Sequence, residues 1–451
     1  MVGYKSYKKT PEAIWYQSVP ESWNSTKMRE VFSERTIKVS DKEYPALSVG
    51  KMGVVPQLET AVKTDNGDNR KLICEGDFAI NSRSDRKGSS GISDFTGSAS
   101  LIITVLKPYE SLNRKYYHYL LRSNGFVEEF YRNGKGLVSD LWTTKWQEMK
   151  NIFIPVPPKS EQDQIVRYLD WKTSEIDRFI HQKKKQIKRL EELKKRKIDD
   201  IVTTGLDSSA KIKKTKASWM GEVPDKWTEC RLKNLFREIN VRSEKGLEPH
   251  LSMSQKKGLV TDDEEIERRL LSESYAGAKI CEKDDLVLNR LKAHLGVFAL
   301  APMLGIVSPD YTVLRLDKRK IVPKYLEYLL KSNACRGELV IRVRGIVEGF
   351  WRLYTEDLGA IPVCIPDLEE QHKILNEIVK IDEKINGLMD AVKAEISLLQ
   401  ELRTKIIADV VTGQIDVRDE IIPEYDNAEE NEPDDELENE ACSEEESDEE
   451  A

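Results

Sequence analysis

The chain has 451 residues, which is long enough for two or three domains with cores of their own. No apolar run approaches the roughly 20 residues needed to span a membrane, and the start, MVGYKSYKKTPEA, lacks the apolar centre of a signal peptide. We therefore expect a soluble, cytoplasmic protein. The six cysteines are dispersed and include no Cys-x-x-Cys pair, and the five histidines are dispersed as well. This distribution argues against a metal site or a disulfide framework.

The charge is unevenly distributed along the chain. Overall the net charge is −8, but 16 of the 79 acidic residues lie between Glu424 and Glu450, where there is no Lys or Arg. The rest of the chain, with all 71 basic residues, carries a net charge of +8. A mildly basic body with an acidic tail is one pattern found in nucleic-acid-binding proteins.

The sequence is a tandem duplication of a domain-sized unit. VPESW at 19–23 recurs 204 positions later as VPDKW, and GDFAIN at 76–81 recurs 208 positions later as DDLVLN. The phrase IPVPPKSEQDQIV at 154–166 has a near copy, VCIPDLEEQHKIL, at 363–375. In that phrase Pro157, Glu161, Gln162 and Ile165 recur 209 positions later.

The first part of each copy, residues 13–153 and 217–362, predicts a mixed α+β globule. LIITVL at 101–106 and YTVLRL at 311–316 are rich in β-branched residues and predict strands. KYYHYLLRS and KYLEYLLKS predict one short amphipathic helix in each copy.

The second part of each copy predicts a long helix. It follows Pro157-Pro158 or Pro366, opens with an acidic turn and ends near Gly205 or Gly413. Apolar residues recur there in steps of three and four, which predicts a coiled-coil seam. The predicted seam residues are Ile165, Leu169, Ile176, Ile180, Ile187 and Leu190 in the first helix, and Ile374, Ile378, Ile381, Ile385, Leu388, Val392 and Leu399 in the second.

Such an apolar stripe must pack on a long partner, and the nearest candidate is the other copy. We expect an antiparallel coiled coil of roughly 65 Å, from about 45 residues at ~1.5 Å each, with a globule at either end and an internal pseudo-two-fold relation. The predicted boundaries are a globule over 1–157, a helix over 158–206, a globule over 207–366, a helix over 367–415 and a disordered acidic tail over 416–451.

These motifs together resemble the specificity subunit of type I restriction–modification systems. The residues that carry the resemblance are VPESW and VPDKW, Leu47-Ser48 with Gly53-Val54 and their copy, GDFAINSRSDRKGSSGIS, GIVEGFWRLYTEDL, the IP…EEQ helix entries, and the IDDIVTTG and IIADVVTG endings. In order and duplication they cover nearly everything from about residue 13 to residue 417.

The resemblance implies two target-recognition domains, each reading one half of a split site on double-stranded DNA. It implies that the paired helices set the half-site spacing and dock two modification (methyltransferase) subunits. S-adenosylmethionine, ATP and Mg²⁺ would belong to the modification and restriction (translocase/endonuclease) subunits, and this chain would need no cofactor.

We expect this chain to be non-catalytic. It contains no Asn/Asp-Pro-Pro-Tyr/Phe adenine-methylation motif and no phosphate-binding Gly-x-x-x-x-Gly-Lys-Ser/Thr loop. SPDYTVLRLDKRK at 308–320 faintly resembles a nuclease site, but its lysines are at the wrong offset from Asp317, so we expect a strand with a surface turn.

Three places in each globule carry residues suited to DNA. The first is the loop at 81–88 with Arg83, Arg86 and Lys87, whose copy holds Arg290, Lys292 and His294. The second is a hairpin tip with Lys51, whose copy holds Gln255, Lys256 and Lys257. The third precedes each long helix and includes Lys135 and Lys145 in the first copy, and Arg342, Arg344 and Arg352 in the second.

Alternatives without DNA binding remain open: the first place would then be a solvated turn, and the second a simple hairpin. The neighbouring Trp142, Phe350 and Trp351 suit core or hinge packing better than base stacking, because duplex DNA offers no free base face. The lysine-rich run at 181–197 is interpreted mainly as the solvated face of a coiled coil. A competing hypothesis is a coiled-coil adaptor whose globules bind protein, which would not need basic loops in register in both copies.

Overall fold

The computed structural model describes residues 3–58, 67–83, 86–109, 112–136, 142–254, 257–261, 275–345 and 351–425. The chain divides into two compact units, which we name by their order. The first unit combines Met1–Lys184 with Lys393–Ala451, and the second is Lys185–Val392. Each unit therefore holds one globule together with part of both long helices.

The first unit contains short strands followed by three helices and the start of a long one. Its strands are β1 (Tyr7–Lys9), β2 (Ser18–Pro20), β3 (Asn24–Lys27), β4 (Phe32–Glu34), β5 (Lys38–Val39), β6 (Leu47–Gly50), β7 (Gly53–Pro56), β8 (Arg70–Ile73), β9 (Phe78–Asn81), β10 (Ser90–Ile92), β11 (Gly97–Ala99), β12 (Ile103–Pro108) and β13 (Phe153–Val156). Its helices are α1 (Arg114–Arg122), α2 (Asn124–Arg132), α3 (Trp146–Met149) and the first part of α4 (Lys159–Thr204).

The second unit repeats this order. Its strands are β14 (Ile212–Lys214), β15 (Glu222–Pro224), β16 (Thr228–Arg231), β17 (Phe236–Ile239), β18 (Leu251–Ser254), β19 (Gly258–Thr261), β20 (Lys279–Cys281), β21 (Leu286–Asn289), β22 (Phe298–Leu300), β23 (Gly305–Val307), β24 (Tyr311–Leu316) and β25 (Pro362–Ile365). Its helices are α5 (Pro323–Lys331), α6 (Asn333–Val340), α7 (Thr355–Gly359) and the first part of α8 (Leu368–Val411).

The largest sheet has the same topology in both units. Its strand order is β10-β9-β12-β4 in the first unit and β22-β21-β24-β17 in the second, and all neighbours are antiparallel. The register is also repeated, since Thr104 lies opposite Ile80 and Thr312 lies opposite Leu288. These pairs confirm the strands predicted from LIITVL and YTVLRL, and with the helices they confirm an α+β fold.

One core cluster in each unit joins the sheet to the helices. The fully buried Trp23 and Trp227, from the repeated Val-Pro-x-x-Trp motif, lie in these two cores. Burying an aromatic or aliphatic side chain of this size stabilises the fold by roughly 1.5–3 kcal/mol. The repeated motif is therefore a packing element.

The phrase repeated at the start of each long helix has a hydrogen-bonding role. The Gln162 side chain donates to Pro157 O (2.9 Å) and accepts from the backbone N–H of Asn113 (3.0 Å), the N-cap of α1. Its copy Gln371 donates to Pro366 O (2.9 Å) and accepts from Val322 N–H (2.7 Å), the N-cap of α5. One glutamine thus ties each long helix to the short helix of its globule.

Within each unit the two long-helix segments run in opposite directions. In the first unit Asp177 of α4 pairs with Arg403 of α8 (3.0 Å), and further along α4 Lys183 pairs with the earlier Glu395. In the second unit Lys194 pairs with Asp382 (3.0 Å), and Ile198 packs in one cluster with Ile378. The run at 181–197 thus supplies ion pairs between helices, in addition to a solvated face.

Most of the predicted seam residues are buried or half-buried; Leu388 is 49% exposed. The neighbouring Met389 is half-buried and takes the seam position predicted for Leu388, where it lines a groove with Lys194 and Ile198. Two consecutive steps of four, from Ile381 through Ile385 to Met389, replace a four-three step. With the following step of three, from Met389 to Val392, these steps span eleven residues in three turns, a spacing that differs from the heptad of the predicted seam. The change of spacing places Met389, and not Leu388, on the seam.

The packed part of the chain extends past the predicted tail boundary at residue 416. Val417 is fully buried, Ile422 packs on the first core, and the Gln164 side chain donates to Val417 O (3.0 Å). The predicted boundary at residue 416 is too early, because packed apolar residues continue as far as Ile422. Residues 426–451 lie outside the described part.

Candidate nucleic-acid interface

The first predicted place is a loop that is fixed at both ends. In the first unit Asn81 Oδ1 accepts from Arg83 N–H (3.1 Å), and Ser82 O accepts from Thr144 N–H (2.9 Å). Gly88 has a φ of +83°, which a side chain disfavours. Lys87 is exposed and pairs with Glu128 (2.5 Å), whereas Arg86 is buried.

The loop of the second unit has the same framework. Asn289 Oδ1 accepts from Leu291 N–H (3.1 Å), Arg290 O accepts from Leu353 N–H (3.0 Å), and Gly296 has a φ of +82°. Lys292 is exposed and Arg290 is half-buried. The His294 ring meets Trp351 edge-on at 6.0 Å. The backbone is therefore shared between the copies, and the side chains it presents differ.

The second predicted place is a hairpin tip in both units. Lys51 is exposed in the turn between β6 and β7, and Lys257 is exposed in the turn between β18 and β19. Gln255 and Lys256 lie outside the described residues. Gly53 (φ +111°) and Gly258 (φ +81°) end the two turns, so glycine serves the same purpose in both copies.

The third predicted place lies against the first. Thr143 forms a bridge with Lys135 and with Arg83, and Arg352 forms a bridge with Arg344. Arg344 also pairs with Asp357. Lys145 and Arg352 are exposed. Because the neighbouring Thr144 and Leu353 donate to the first loops, the first and third places meet at the same end of each globule.

The pairing of Arg342 is local, since it forms an ion pair with Glu338 one turn earlier in the sequence (2.5 Å). Trp142 is half-buried and donates to Tyr131 O (2.9 Å), which fits the predicted packing role. Trp351 is 40% exposed beside His294, so its indole is open to a ligand at this end of the second unit. Phe350 lies outside the described residues.

Sequence reasoning missed several basic residues near these loops. Arg122 contacts the first loop and the hairpin turn, and Arg336 lies close enough to His294 to affect its ionisation. Burial and then Arg336 lower the pKa of His294, so its imidazole is neutral near pH 7. Lys71 and Lys279 occupy matched positions and donate to Ile103 O (2.7 Å) and Tyr311 O (2.8 Å). The last pair carried a signal, because the same residue type recurs 208 positions apart.

Several buried polar atoms at these ends have no hydrogen-bond partner among the described residues. They are Ser89 Oγ and Ser90 Oγ in the first unit, and Arg290 Nε, His294 Nδ1 and Thr312 Oγ1 in the second. Native proteins satisfy most buried polar groups, so each of these atoms calls for a partner such as an ordered water, an ion or another bound molecule.

The described residues contain no group of three or more His, Cys, Asp or Glu side chains arranged to hold a metal ion. In that same part of the chain no helix is long and apolar enough to cross a membrane. Asp317, in the segment that resembles a nuclease site, pairs with Arg319 (2.9 Å) at a surface turn after β24. That segment is a strand followed by a turn, as predicted.

The comparisons with known proteins agree with these observations. Residues 20–189 match the family model of the type I restriction modification DNA specificity domain. The type I restriction enzyme MjaVIII specificity subunit of Methanocaldococcus jannaschii is 24% identical over 426 residues, which is 89% of this chain and 94% of that protein. The MjaX specificity subunit of the same organism is 22% identical over 429 residues, or 89% and 95%.

Among solved structures, a chain from work on complex assembly and conformational transition of the type I R-M system aligns with a TM-score of 0.57 at 16% identity. The alignment covers 89% of this chain and 100% of that one, and it supports the α+β fold. The resemblance predicted from the sequence is confirmed: the chain is similar to type I restriction–modification specificity subunits along most of its length, and residues 20–189 match the model of their DNA specificity domain.

Proposed function

We propose that each globule of this chain reads one half of a split target on double-stranded DNA. We propose also that the paired long helices form an antiparallel coiled coil that sets the half-site spacing and docks two modification subunits. The restriction subunits would join the same complex. In this proposal the chain is non-catalytic, and its partners supply S-adenosylmethionine, ATP and Mg²⁺.

One observation carries the proposal: the same end of each globule gathers basic loops on a shared backbone frame. Lys51, Arg83 and Lys145 belong to that end in the first unit, and Arg290, Lys292 and Arg352 belong to it in the second. Arg and Lys supply the phosphate contacts that position a protein on DNA and the donors that read guanine edges. An adaptor for protein partners would not require this match.

The helix proposal is supported by the opposed ion pairs inside each unit, Asp177–Arg403 in the first and Lys194–Asp382 in the second. Within each unit these contacts hold the segment of α8 antiparallel to the segment of α4. A helical spacer rises about 1.5 Å per residue, so its length converts directly into a distance along DNA.

Methylome sequencing tests the proposal. A host without other adenine methyltransferases would express this chain with its neighbouring modification subunit, and a second culture would express the modification subunit alone. We expect methyladenine in one split motif in the first culture and none in the second. A motif that is identical in both cultures would show that this chain does not choose the target.

A further inference from the structure

Arg122, the last residue of α1, joins two of the candidate DNA-reading segments. Its Nη1 donates to Ser90 O (2.6 Å), at the point where the loop at 81–89 enters β10. Its Nη2 donates to Lys51 O (2.5 Å), in the hairpin turn between β6 and β7. One guanidinium therefore holds a loop and a hairpin that lie about 40 residues apart in sequence.

The two segments touch backbone to backbone beside this guanidinium. A Cβ built on Gly91 would lie 2.9 Å from Gly53 Cα and 3.4 Å from Arg122 Nη1. The first distance is too short for real atoms, so any side chain at residue 91 must move the hairpin. The position of the hairpin is thus set by a close approach that only glycine permits, together with the arginine that spans it.

The guanidinium of Arg122 is directed at the protein. Burial, followed by the charge of Arg403, lowers its pKa, and the bonds to Ser90 O and Lys51 O offset part of the lost hydration. The planar fork of arginine can donate to two acceptors in fixed directions, which the single ammonium of lysine does less well. This geometry fits a brace better than a contact to phosphate.

In the part of the second unit that the structure describes, the matching side chain makes different contacts. The position that matches Arg122 is Lys331, whose ammonium pairs with Glu327 (2.8 Å) and lies over the Phe298 ring (5.8 Å). The hairpin of the second unit also approaches the matched strand, β22, through a glycine: a Cβ added to Gly258 would lie 3.1 Å from Ala299 Cβ. The close approach is therefore shared by both copies, and the residue at the end of α1 or α5 differs between them.

We propose that Arg122 is a positioning residue for DNA recognition by the first unit. It holds the Lys51 hairpin in register with the loop at 81–89, so that both reach the same half-site. This inference rests on the proposed function, because it assigns a role within the same reading surface. Loss of the brace should weaken discrimination between correct and incorrect bases in the first half-site, and leave the second half-site unaffected.

The test uses the purified complex of this chain with its modification subunits. Duplexes would carry the motif found by methylome sequencing, or that motif with transversions in one half only. Domain exchange identifies the half read by the first unit. The measured quantity is the ratio of dissociation constants, altered against correct, for each half separately. For Arg122→Ala we expect the first ratio to fall about tenfold, the effect of roughly one base contact, while the second ratio changes less than twofold.

Two further variants separate positioning from charge and from folding. Arg122→Lys keeps the charge but not the fork, and we expect it to resemble Arg122→Ala. Gly91→Ala keeps Arg122 and displaces the hairpin, and we expect the same loss confined to the first ratio. Lys331→Ala is the matched control in the second unit and should leave both ratios within twofold.

Unchanged ratios in both Arg122→Ala and Gly91→Ala would overturn the inference. A second contradictory result would be that Arg122→Ala weakens binding equally on every duplex and that Arg122→Lys restores the affinity. That result would indicate a phosphate contact. If thermal denaturation shows that Arg122→Ala does not fold, the ratios measured for Gly91→Ala alone test the inference. A wild-type complex that does not discriminate in either half would instead contradict the proposed function itself.

Discussion

The two units share a topology, but they differ in the side chains that support the candidate DNA-binding loops and in the side chains that these loops expose. On α1, His118 and Arg122 both face the sheet: His118 Nδ1 accepts from Ile92 N–H (3.3 Å), and Arg122 holds the hairpin. On α5 the matched residues are Glu327 and Lys331, which pair with each other. The same helical positions thus support β10 in one unit and stabilise their own helix in the other.

The surfaces differ in the same way. Lys87, Arg132 and Lys145 of the first unit match Leu295, Ile341 and Tyr354 of the second, which are 45%, 74% and 40% exposed. One tip is therefore rich in charge and the other in apolar side chains framed by arginines. Apolar groups contact thymine methyls in the major groove, whereas lysine and arginine seek phosphates and guanine. The backbone frame is therefore common to both units, and the side chains on it differ.

A buried carboxylate shows how one interaction can be built from different strands. Asp77 accepts a paired bond from Arg35, just after β4 (2.6 and 3.0 Å), and Asp285 accepts one from Arg315 on β24 (3.0 and 2.9 Å). The carboxylates occupy matched positions, and the arginines do not. What the fold retains is the neutralised carboxylate near the turn before β9 and β21.

The largest effect should come from changing the distance between the units. Inserting seven residues into both long helices, after Lys184 and after Val392, keeps the heptad phase and adds about 10 Å. At 3.4 Å per base pair this is about three base pairs of added spacing. We expect methylome sequencing to give the same half-sites further apart, with methylation at the original spacing falling to background.

A seven-residue replacement at the same points, which leaves the length unchanged, is the control. New half-site bases at the original spacing would show that the helices do not act as a ruler.

The next effect concerns the buried carboxylates. Arg35→Ala leaves Asp77, whose side chain is 3% exposed, without its ionic partner, which should lower the free energy of unfolding by about 3 kcal/mol. Adding Lys107→Arg places an arginine at the position matched to Arg315 and should recover part of that loss. Urea denaturation followed by circular dichroism measures both. Equal stability of the single and double variants would contradict the exchange between strands.

A smaller effect depends on pH. Burial, with Arg122, Lys115 and Arg403, lowers the pKa of His118 to about 4 from 6.5. The imidazole is thus neutral in the folded state while the unfolded chain takes up a proton near pH 6.5. Its contribution to stability is complete above that pH, falls as the pH drops toward 4, and is at most roughly 3 kcal/mol.

His118→Asn keeps an acceptor for Ile92 N–H but does not titrate. The free energies of unfolding of the two proteins, measured between pH 7.5 and 4, should therefore differ less at pH 4 than at pH 7.5. Parallel pH profiles would show that His118 titrates alike in both states.

The smallest effect is on the salt dependence of DNA binding. Lys145→Ala should remove one phosphate contact and reduce the slope of log affinity against log salt by about 0.9. Tyr354→Ala, at the matched position of the second unit, should leave that slope unchanged. Fluorescence anisotropy from 50 to 200 mM salt compares them, and equal slopes in both variants would remove the distinction between a charged and an apolar tip.

Much of the fold could be predicted because it depends on local patterns. The repeated Val-Pro-x-x-Trp motif, the β-branched runs and the helix entry with Gln162 are written in adjacent residues. The sequence patterns do not predict α2 and α6, which follow α1 and α5 directly. Only one residue with a non-helical ψ separates the helices of each pair, Ser123 (ψ 143°) or Ser332 (ψ 149°). A single residue in a different backbone region leaves little trace in hydrophobic periodicity.

The candidate site could be predicted only in outline. Basic residues after β9 and β21 indicated the same candidate end in each globule, since the duplication placed them in register; that this end contacts DNA stays a prediction. Arg122 could not be found this way, because a basic residue at the end of an amphipathic helix reads as solvent-exposed. Which carbonyls it reaches depends on how the hairpin packs, and that packing depends on the close approach of Gly53 in β7 to Gly91 in β10.

In the proposed function each unit reads one half-site independently of the other. This independence is tested most directly by methylome sequencing with a chain in which residues 13–153 are replaced by a copy of residues 217–362. We expect a split motif in which the half-site of the second unit appears at both ends. Retention of the original motif, with two different halves, would contradict the account.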